Sequence, residues 1–290
     1  MTEVHHFTYG IFNPIAAYLL AFLGSFFGLL CTARARDART RSRRTRWLGI
    51  AAFSIGGGAI WLMHFSAMLG FDVPASPVRF DIVMTLASLV FAVIAVGLGL
   101  LIVGHGARSL PRVIGAGVLT GGGVLTMHYT GMQGMHVAGH VHYNLTLVLA
   151  SAIIAVVACT VALWFAISVR GWLPVSGAAA IMAIAVCGMH YTGMAAMSVS
   201  LDGAIATVHG FRPLAMIVPI TVLTAATIVG VALSALQAMT EEEFTDGAGT
   251  PKRGMHAETT NPWSLKQASA APAGRRPSPR PVPARSTTNL

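Results

Sequence analysis

Three six-residue segments of this chain share one chemistry: Met63-His64-Phe65-Ser66-Ala67-Met68, Met127-His128-Tyr129-Thr130-Gly131-Met132 and Met189-His190-Tyr191-Thr192-Gly193-Met194. Each carries an imidazole with thioethers at fixed offsets. On a helix, residues at i, i+4 and i+7 share a face. That rule groups His64 with Met68, His128 with Met132 and Met135, and His190 with Met194 and Met197, while Phe71 takes the i+7 place in the first copy. Cys187 stands three residues before His190 and adds a candidate thiolate to the third copy, where the others have Trp61 and Leu125. Imidazole with thioether suits copper, because soft sulfur favours Cu(I) and imidazole accepts either oxidation state. Zinc fits this donor set less well. Two other readings of the same residues are hydrogen-bonded core histidines and haem held by two axial histidines. Tyr129 and Tyr191 offer hydroxyls to a bound diatomic ligand, or else anchor outer helix ends.

The His-to-His intervals are 64 and 62 residues, long enough for two membrane spans per repeat. The composition requires such spans: 54% of the 290 residues are apolar and 10% charged, against roughly 25% charged in soluble domains. A bilayer core of about 30 Å needs about 20 apolar residues. Seven runs qualify, near 11–32, 47–70, 81–103, 112–136, 144–169, 173–199 and 213–239. The fold class is therefore all-α, a polytopic membrane protein of seven transmembrane helices built from three helix-pair repeats plus a closing helix. The motifs fall on spans two, four and six, which run in the same direction.

Charge sets the expected orientation. Seven arginines lie in the loop Arg34–Arg46, and Arg108, Arg112 and Arg170 flank later turns on the same side. With the tail, 17 basic residues fall on that side against two, Arg79 and Arg212, on the other. Basic loops stay cytoplasmic, so the N-terminus is expected outside and the C-terminus inside. The net charge of +9 is thus read as orientation rather than as nucleic-acid binding. The first run has no preceding Lys or Arg, unlike a cleaved signal peptide. The motif histidines lie 16 to 20 residues beyond Arg46, Arg112 and Arg170, about 24 to 30 Å along a helix, which puts all three near the external face. Gly56–Gly58, Gly121–Gly123 and the alanines at 178–180 precede the motifs and favour close helix approach. Outer loops add His5, His6, His136, His140, His142 and His209, read either as a metal-collecting or pH-responsive surface or as solvated loops with incidental histidines. Residues 241–290 are a Pro, Ala, Ser and Arg mixture expected to form a disordered cytoplasmic tail. Cys31, Cys159 and Cys187 stand apart without a CxxC pair, so no disulfide framework is expected.

With Met-His-Tyr-Thr at 127–130 and again at 189–192, the chain resembles the MHYT domain, a bacterial membrane sensor module. The resemblance covers about residues 8–240. It implies copper held near the outer face by Met, His and Tyr, and sensing of oxygen, carbon monoxide or nitric oxide. Carried over, it points to His64, His128 and His190 with Met63, Met68, Met127, Met132, Met189 and Met194. Phe65 and Ser66 depart from the pattern in the first copy. Relatives in this family join the module to a diguanylate cyclase, phosphodiesterase or histidine kinase. The residues after 240 are too few for any of these, so output through a separate cytoplasmic signalling protein is expected. No nucleophile–base pair, phosphate loop or intramembrane carboxylate marks an enzyme. Copper capture or relay and a haem-carrying redox role are the alternatives to sensing, with a structural scaffold as a fourth. Passage of copper across the membrane needs ligands along its depth, whereas these concentrate at one end.

Overall fold

A computed structural model describes residues 5, 8–74, 76–106, 109–201, 208–226, 228–230 and 232–233. The tail at 241–290 and His6 lie outside the described residues. Within them, seven helices are long and apolar enough to span a bilayer: α1 (Phe12–Asp37), α2 (Arg41–Met68), α3 (Ile82–His105), α4 (Leu110–Gln133), α5 (Leu145–Ser168), α6 (Trp172–Ala195) and α7 (Pro213–Gly230). The chain is thus a multi-pass, all-α membrane protein. Three pairs, α1–α2, α3–α4 and α5–α6, each carry the motif on the second helix, and α7 closes the order.

Local chemistry starts the helices where the apolar runs begin. Asp81 accepts a hydrogen bond from the Met84 amide at the head of α3, and Asn144 accepts from the amides of Thr146 and Leu147 at the head of α5, which satisfies amides that lack an intrahelical partner. Pro111 sits in the first turn of α4. Gly171, at φ +83°, makes the tight link from α5 to α6 that a side chain would oppose.

Each helix from α1 to α6 packs on its sequence neighbours, and α6 returns to α1. α2 is the most enclosed: 83% of its apolar stretch is buried, against 6% for α7. Outward faces carry apolar stripes at four-residue spacing, Ile82, Leu86, Val90 and Ile94 on α3 and Leu145, Leu149, Ile153 and Val157 on α5, as a lipid-facing surface requires. The glycines before the motifs do bring backbones together. A Cβ on Gly56 would stand 2.7 Å from the Ala92 carbonyl oxygen, and one on Gly121 would stand 2.7 Å from Val156 Cα.

Three features differ from the sequence reading. The arginine-rich stretch is not a loop: α1 runs to Asp37 and α2 starts at Arg41, leaving a three-residue turn whose Thr40 hydroxyl accepts from the Arg43 amide. The segment Phe53–Trp61 inside α2 is π-helical. The motif-bearing ends of the molecule also carry short antiparallel strands, β1 (Arg79–Phe80) with β2 (Met135–His136), and β3 (Gly139–Tyr143) with β4 (Met197–Leu201). β2 and β3 follow α4, β4 follows α6 and β1 precedes α3, so the strands tie two motif helices to each other and to the segment before α3.

Candidate metal centre

Each motif histidine stands near the C-terminal end of its helix: His64 four residues before Met68, His128 five before Gln133 and His190 five before Ala195. The structure brings all three together. His64 Nδ1 lies 3.0 Å from His190 Nδ1 and 3.2 Å from His128 Nδ1. Ring centroids are 4.9, 4.9 and 5.3 Å apart, with every pair of rings near perpendicular. His64 and His128 are fully buried and His190 is 1% exposed. Three helix C-termini with their partial negative charge therefore surround one point, an arrangement that favours a cation.

The arrangement can be weighed by counting lone pairs. A neutral imidazole Nδ1 offers one lone pair or one proton. His64 Nδ1 faces two other Nδ1 atoms, so without an ion a single lone pair or proton must serve both contacts. A metal ion at the shared point would use all three lone pairs at once. Nitrogens held about 2.0 to 2.1 Å from one ion stand roughly 3.3 to 3.6 Å apart, so outward shifts of a few tenths of an ångström would suffice. The trio therefore fits a metal in donor type and number, and the two separations from His64 Nδ1 fall within a few tenths of an ångström of that spacing. The Nε2 atoms of His64 and His128 are buried with no hydrogen-bond partner. They press instead on the glycines of the next copy: a Cβ on Gly131 would stand 2.6 Å from His64 Nε2, and one on Gly193 would meet His128 Nε2.

Of the motif methionines, Met68, Met127, Met132, Met189 and Met194 are buried in the main apolar core, whereas Met63 joins a second cluster with Ala17, Ala21, Ala67 and Ala183. Cys187 packs beside that second cluster. The group whose ligand atoms lie within 4.8 Å of one another contains only the three histidines among the described His, Cys, Asp and Glu residues. Met135 and Met197 are not on the helical face that the i+7 spacing implied. α4 ends at Gln133 and α6 at Ala195, which puts these two methionines on β2 and β4, although both stay buried.

The two motif tyrosines flank their own histidines at 4.9 Å between centroids. The Tyr129 hydroxyl is 3.1 Å from Ser151 Oγ on α5, so it faces a helix rather than the histidines. At the motif end of the bundle, Phe80 of β1 lies 6.0 Å from Phe65 and 6.4 Å from Phe211, and backbone bonds link Phe80 to Phe211 in both directions. Phe80 is 1% exposed. Phe65 stands edge-on to His64 at 4.7 Å, so these aromatics form a cap on that side of the cluster, whose histidines are all buried. Deeper in the membrane part, an apolar cavity of about 60 Å³ reaches Met189 and is lined by residues including Ile60, Val124, Ala155, Cys159 and Ala185.

Sequence reasoning recognised the three histidines but missed the two glycines that seat them. The signal was present, since copies two and three both have Gly after Tyr-Thr where the first has Ala67. Of the histidines between the helices, His136 Nδ1 meets the His209 carbonyl and His142 Nε2 meets Ser200 Oγ, and His140 lies on β3. None of these joins the buried group.

Comparison with known proteins agrees with the threefold repeat. The family described as MHYT, bacterial signalling protein N-terminal repeat, matches at residues 57–116, 121–179 and 184–242. The chain is 35% identical over 234 residues to the bifunctional diguanylate cyclase/cyclic di-GMP phosphodiesterase MucR of Pseudomonas aeruginosa, covering 77% of this chain and 34% of that protein. It is 33% identical over 191 residues to the cyclic di-GMP phosphodiesterase NbdA of the same organism, covering 64% of this chain and 24% of the relative. A signalling protein of Caulobacter vibrioides is 28% identical over 191 residues, covering 66% of this chain and 23% of its own length. The chain thus spans about a third or less of these relatives. No solved structure matches it. On the three repeat matches and the coverage of the first relative, the chain belongs to the MHYT family of bacterial signalling proteins.

Proposed function

We propose that the three-histidine cluster is a copper centre and that the chain is a membrane sensor responding through it to a diatomic gas or a redox change. The observation that carries the reading is the meeting of three Nδ1 atoms in a buried site, 3.0 and 3.2 Å apart. His64, His128 and His190 would hold the ion, with thioethers drawn from Met63, Met68, Met127, Met132, Met189 and Met194. Cys187, Met135, Met197, Tyr129 and Tyr191 stand as further candidates around it. When bound, copper would supply a redox couple and a soft position for oxygen, carbon monoxide or nitric oxide. The protein excludes water with the Phe65, Phe80 and Phe211 cap. The apolar cavity that reaches Met189 would give an apolar gas a dry place beside the third motif. A shift of the His64 or His128 ring would be passed on mechanically, because Gly131 bears on His64 and Gly193 on His128.

The basic helix ends are read as cytoplasmic from their arginines, with the histidines toward the outside. Exposed Arg34, Arg39, Arg41, Arg43 and Arg46 offer a surface for a cytoplasmic signalling protein, and the relatives' names point to cyclic di-GMP turnover as the pathway. Copper capture is the second reading, favoured by the gathering of the ligands at one end. Haem ligation needs imidazoles on opposite faces of a porphyrin, and gains nothing from three rings in mutual contact.

Metal stoichiometry and the optical spectrum of the detergent-purified chain test the proposal, beside His64→Ala, His128→Ala and His190→Ala with membrane yield as the folding control. Copper should be present in the parent and fall in each variant. Undiminished copper in all three variants, or no copper after loading, overturns it, and a Soret band with iron assigns haem instead.

A further inference from the structure

At the opposite end of the bundle from the histidines, five of the seven arginines between 34 and 46 are exposed and two turn inward. The Arg36 guanidinium donates to the carbonyls of Ala166 and Val169 at the end of α5. Arg44 donates to Ala35 O at 3.2 Å and to Gly104 O at 3.4 Å, at the ends of α1 and α3. Between them lies a polar cavity of about 140 Å³, lined in part by Thr32, Arg36, Arg44, Gly104, Gly106 and Arg170. Arg112 lies against Gly106. The carboxylate beside these cations is that of Asp37, 3.6 Å from Arg170 and 65% exposed.

Backbone carbonyls satisfy guanidinium donors but do not neutralise charge. Arg36, Arg44 and Arg170 thus line one cavity, and among the described residues the acid close to it is Asp37, which pairs with Arg170 where both side chains are about two-thirds exposed. A guanidinium has five donors in a fork that matches phosphate, and the two bonds described for Arg44 engage only Nε and Nη1. The cavity has room for a phosphate group with its water, since one water needs about 10 to 15 Å³ by this measure. Depth gives an independent indication. Trp47, Trp164 and Trp172 sit at this end, the latter two more than half exposed, which is where interfacial tryptophans mark the headgroup level. Basic pockets between helices at that level suit lipid phosphates.

We propose that this cavity is a binding site for a phosphate group, either that of a phospholipid headgroup or free phosphate. It is independent of the histidine cluster. The test uses the full chain purified in mild detergent. Native mass spectrometry reads retained phospholipid, and thermal unfolding is followed with added inorganic phosphate at constant ionic strength. Nanodiscs of phosphatidylglycerol are compared with phosphatidylcholine. Arg170→Gln leaves the Arg36 and Arg44 carbonyl bonds in place and guards against misfolding. Arg44→Lys keeps the charge but loses the fork, and Arg39→Gln is the exposed control. Retained anionic lipid that phosphate does not displace assigns the lipid source, and stabilisation by phosphate without retained lipid assigns the free ion. In either case Arg170→Gln and Arg44→Lys should weaken binding by about tenfold or more and Arg39→Gln should not. Absence of both effects, or equal losses in Arg39→Gln and Arg170→Gln, overturns the site.

Discussion

Gly131 of the second motif lies directly against the imidazole of the first, so close that a Cβ there would stand 2.6 Å from His64 Nε2. Gly193 of the third motif stands in the same relation to His128. The second and third copies thus each seat the ring of the copy before them. Gly131→Ala should push the His64 ring out of the trio and lower bound copper by more than half, with Gly193→Ala acting alike through His128. Gly122→Ala on the same helix has nothing within 4 Å and should leave bound copper unchanged while stabilising the helix by roughly 0.5 to 1 kcal/mol. Copper stoichiometry across the three variants checks this, and an unaltered Gly131→Ala would separate glycine packing from metal retention.

Tyr129 makes its hydroxyl bond with Ser151 at 3.1 Å, so Tyr129→Phe should keep the metal and cost about 1 kcal/mol of stability. It should also act on Tyr143, whose ring lies 5.6 Å away. Burial first, and Tyr129 second, push the Tyr143 hydroxyl up to about 12 from 10.0. A raised value means that the fold favours the neutral phenol. That contribution is fully present below pH 10 and is lost as pH rises through about 12. Phenolate absorbance should show Tyr143 titrating earlier in Tyr129→Phe, and an unmoved titration would count against the coupling.

Occupancy of a buried ligand cluster stabilises the folded chain by mass action, by about 2.7 kcal/mol at a hundred times the dissociation constant. Copper should therefore raise the melting temperature of the purified protein, and a chelator should return it to the starting value. His128→Ala should show neither change. A rise that persists in all three histidine variants would place the ion elsewhere.

The orientation read from the arginines predicts labelling by an impermeant thiol reagent. His140→Cys on β3 should react in intact cells, whereas Arg43→Cys at the basic end should react only after permeabilisation. The reverse pattern would invert the topology.

Much of the fold was legible because membrane spans obey a length rule and a repeat announces itself. The motif histidines were found from recurrence and a shared depth, and both survive folding because parallel helices keep residues of like depth at like level. What was not legible depends on contacts between copies. Met135 and Met197 carry the helical spacing, yet the helices stop two residues earlier because pairing of β3 with β4 and β1 with β2 satisfies the backbone beyond Gln133 and Ala195. Arg36 and Arg44 look like five neighbouring arginines in composition. Only the carbonyls of α1, α3 and α5, brought to them by packing, set them apart.

The π-helical turn at Phe53–Trp61 gives the three motif helices unequal tolerance to length. A helix with i+5 bonds contains an extra residue relative to an α-helix of the same path, and an α-helical residue turns its successors by about 100°. Removing Gly57 should let that stretch of α2 tighten to α-helix while His64 keeps its aim. Removing one residue from the uninterrupted stretches of α4 or α6 has no such slack to absorb it and would swing His128 or His190 out of register. The first copy is thus the one whose spacer can be shortened by a single codon while the trio stays aligned.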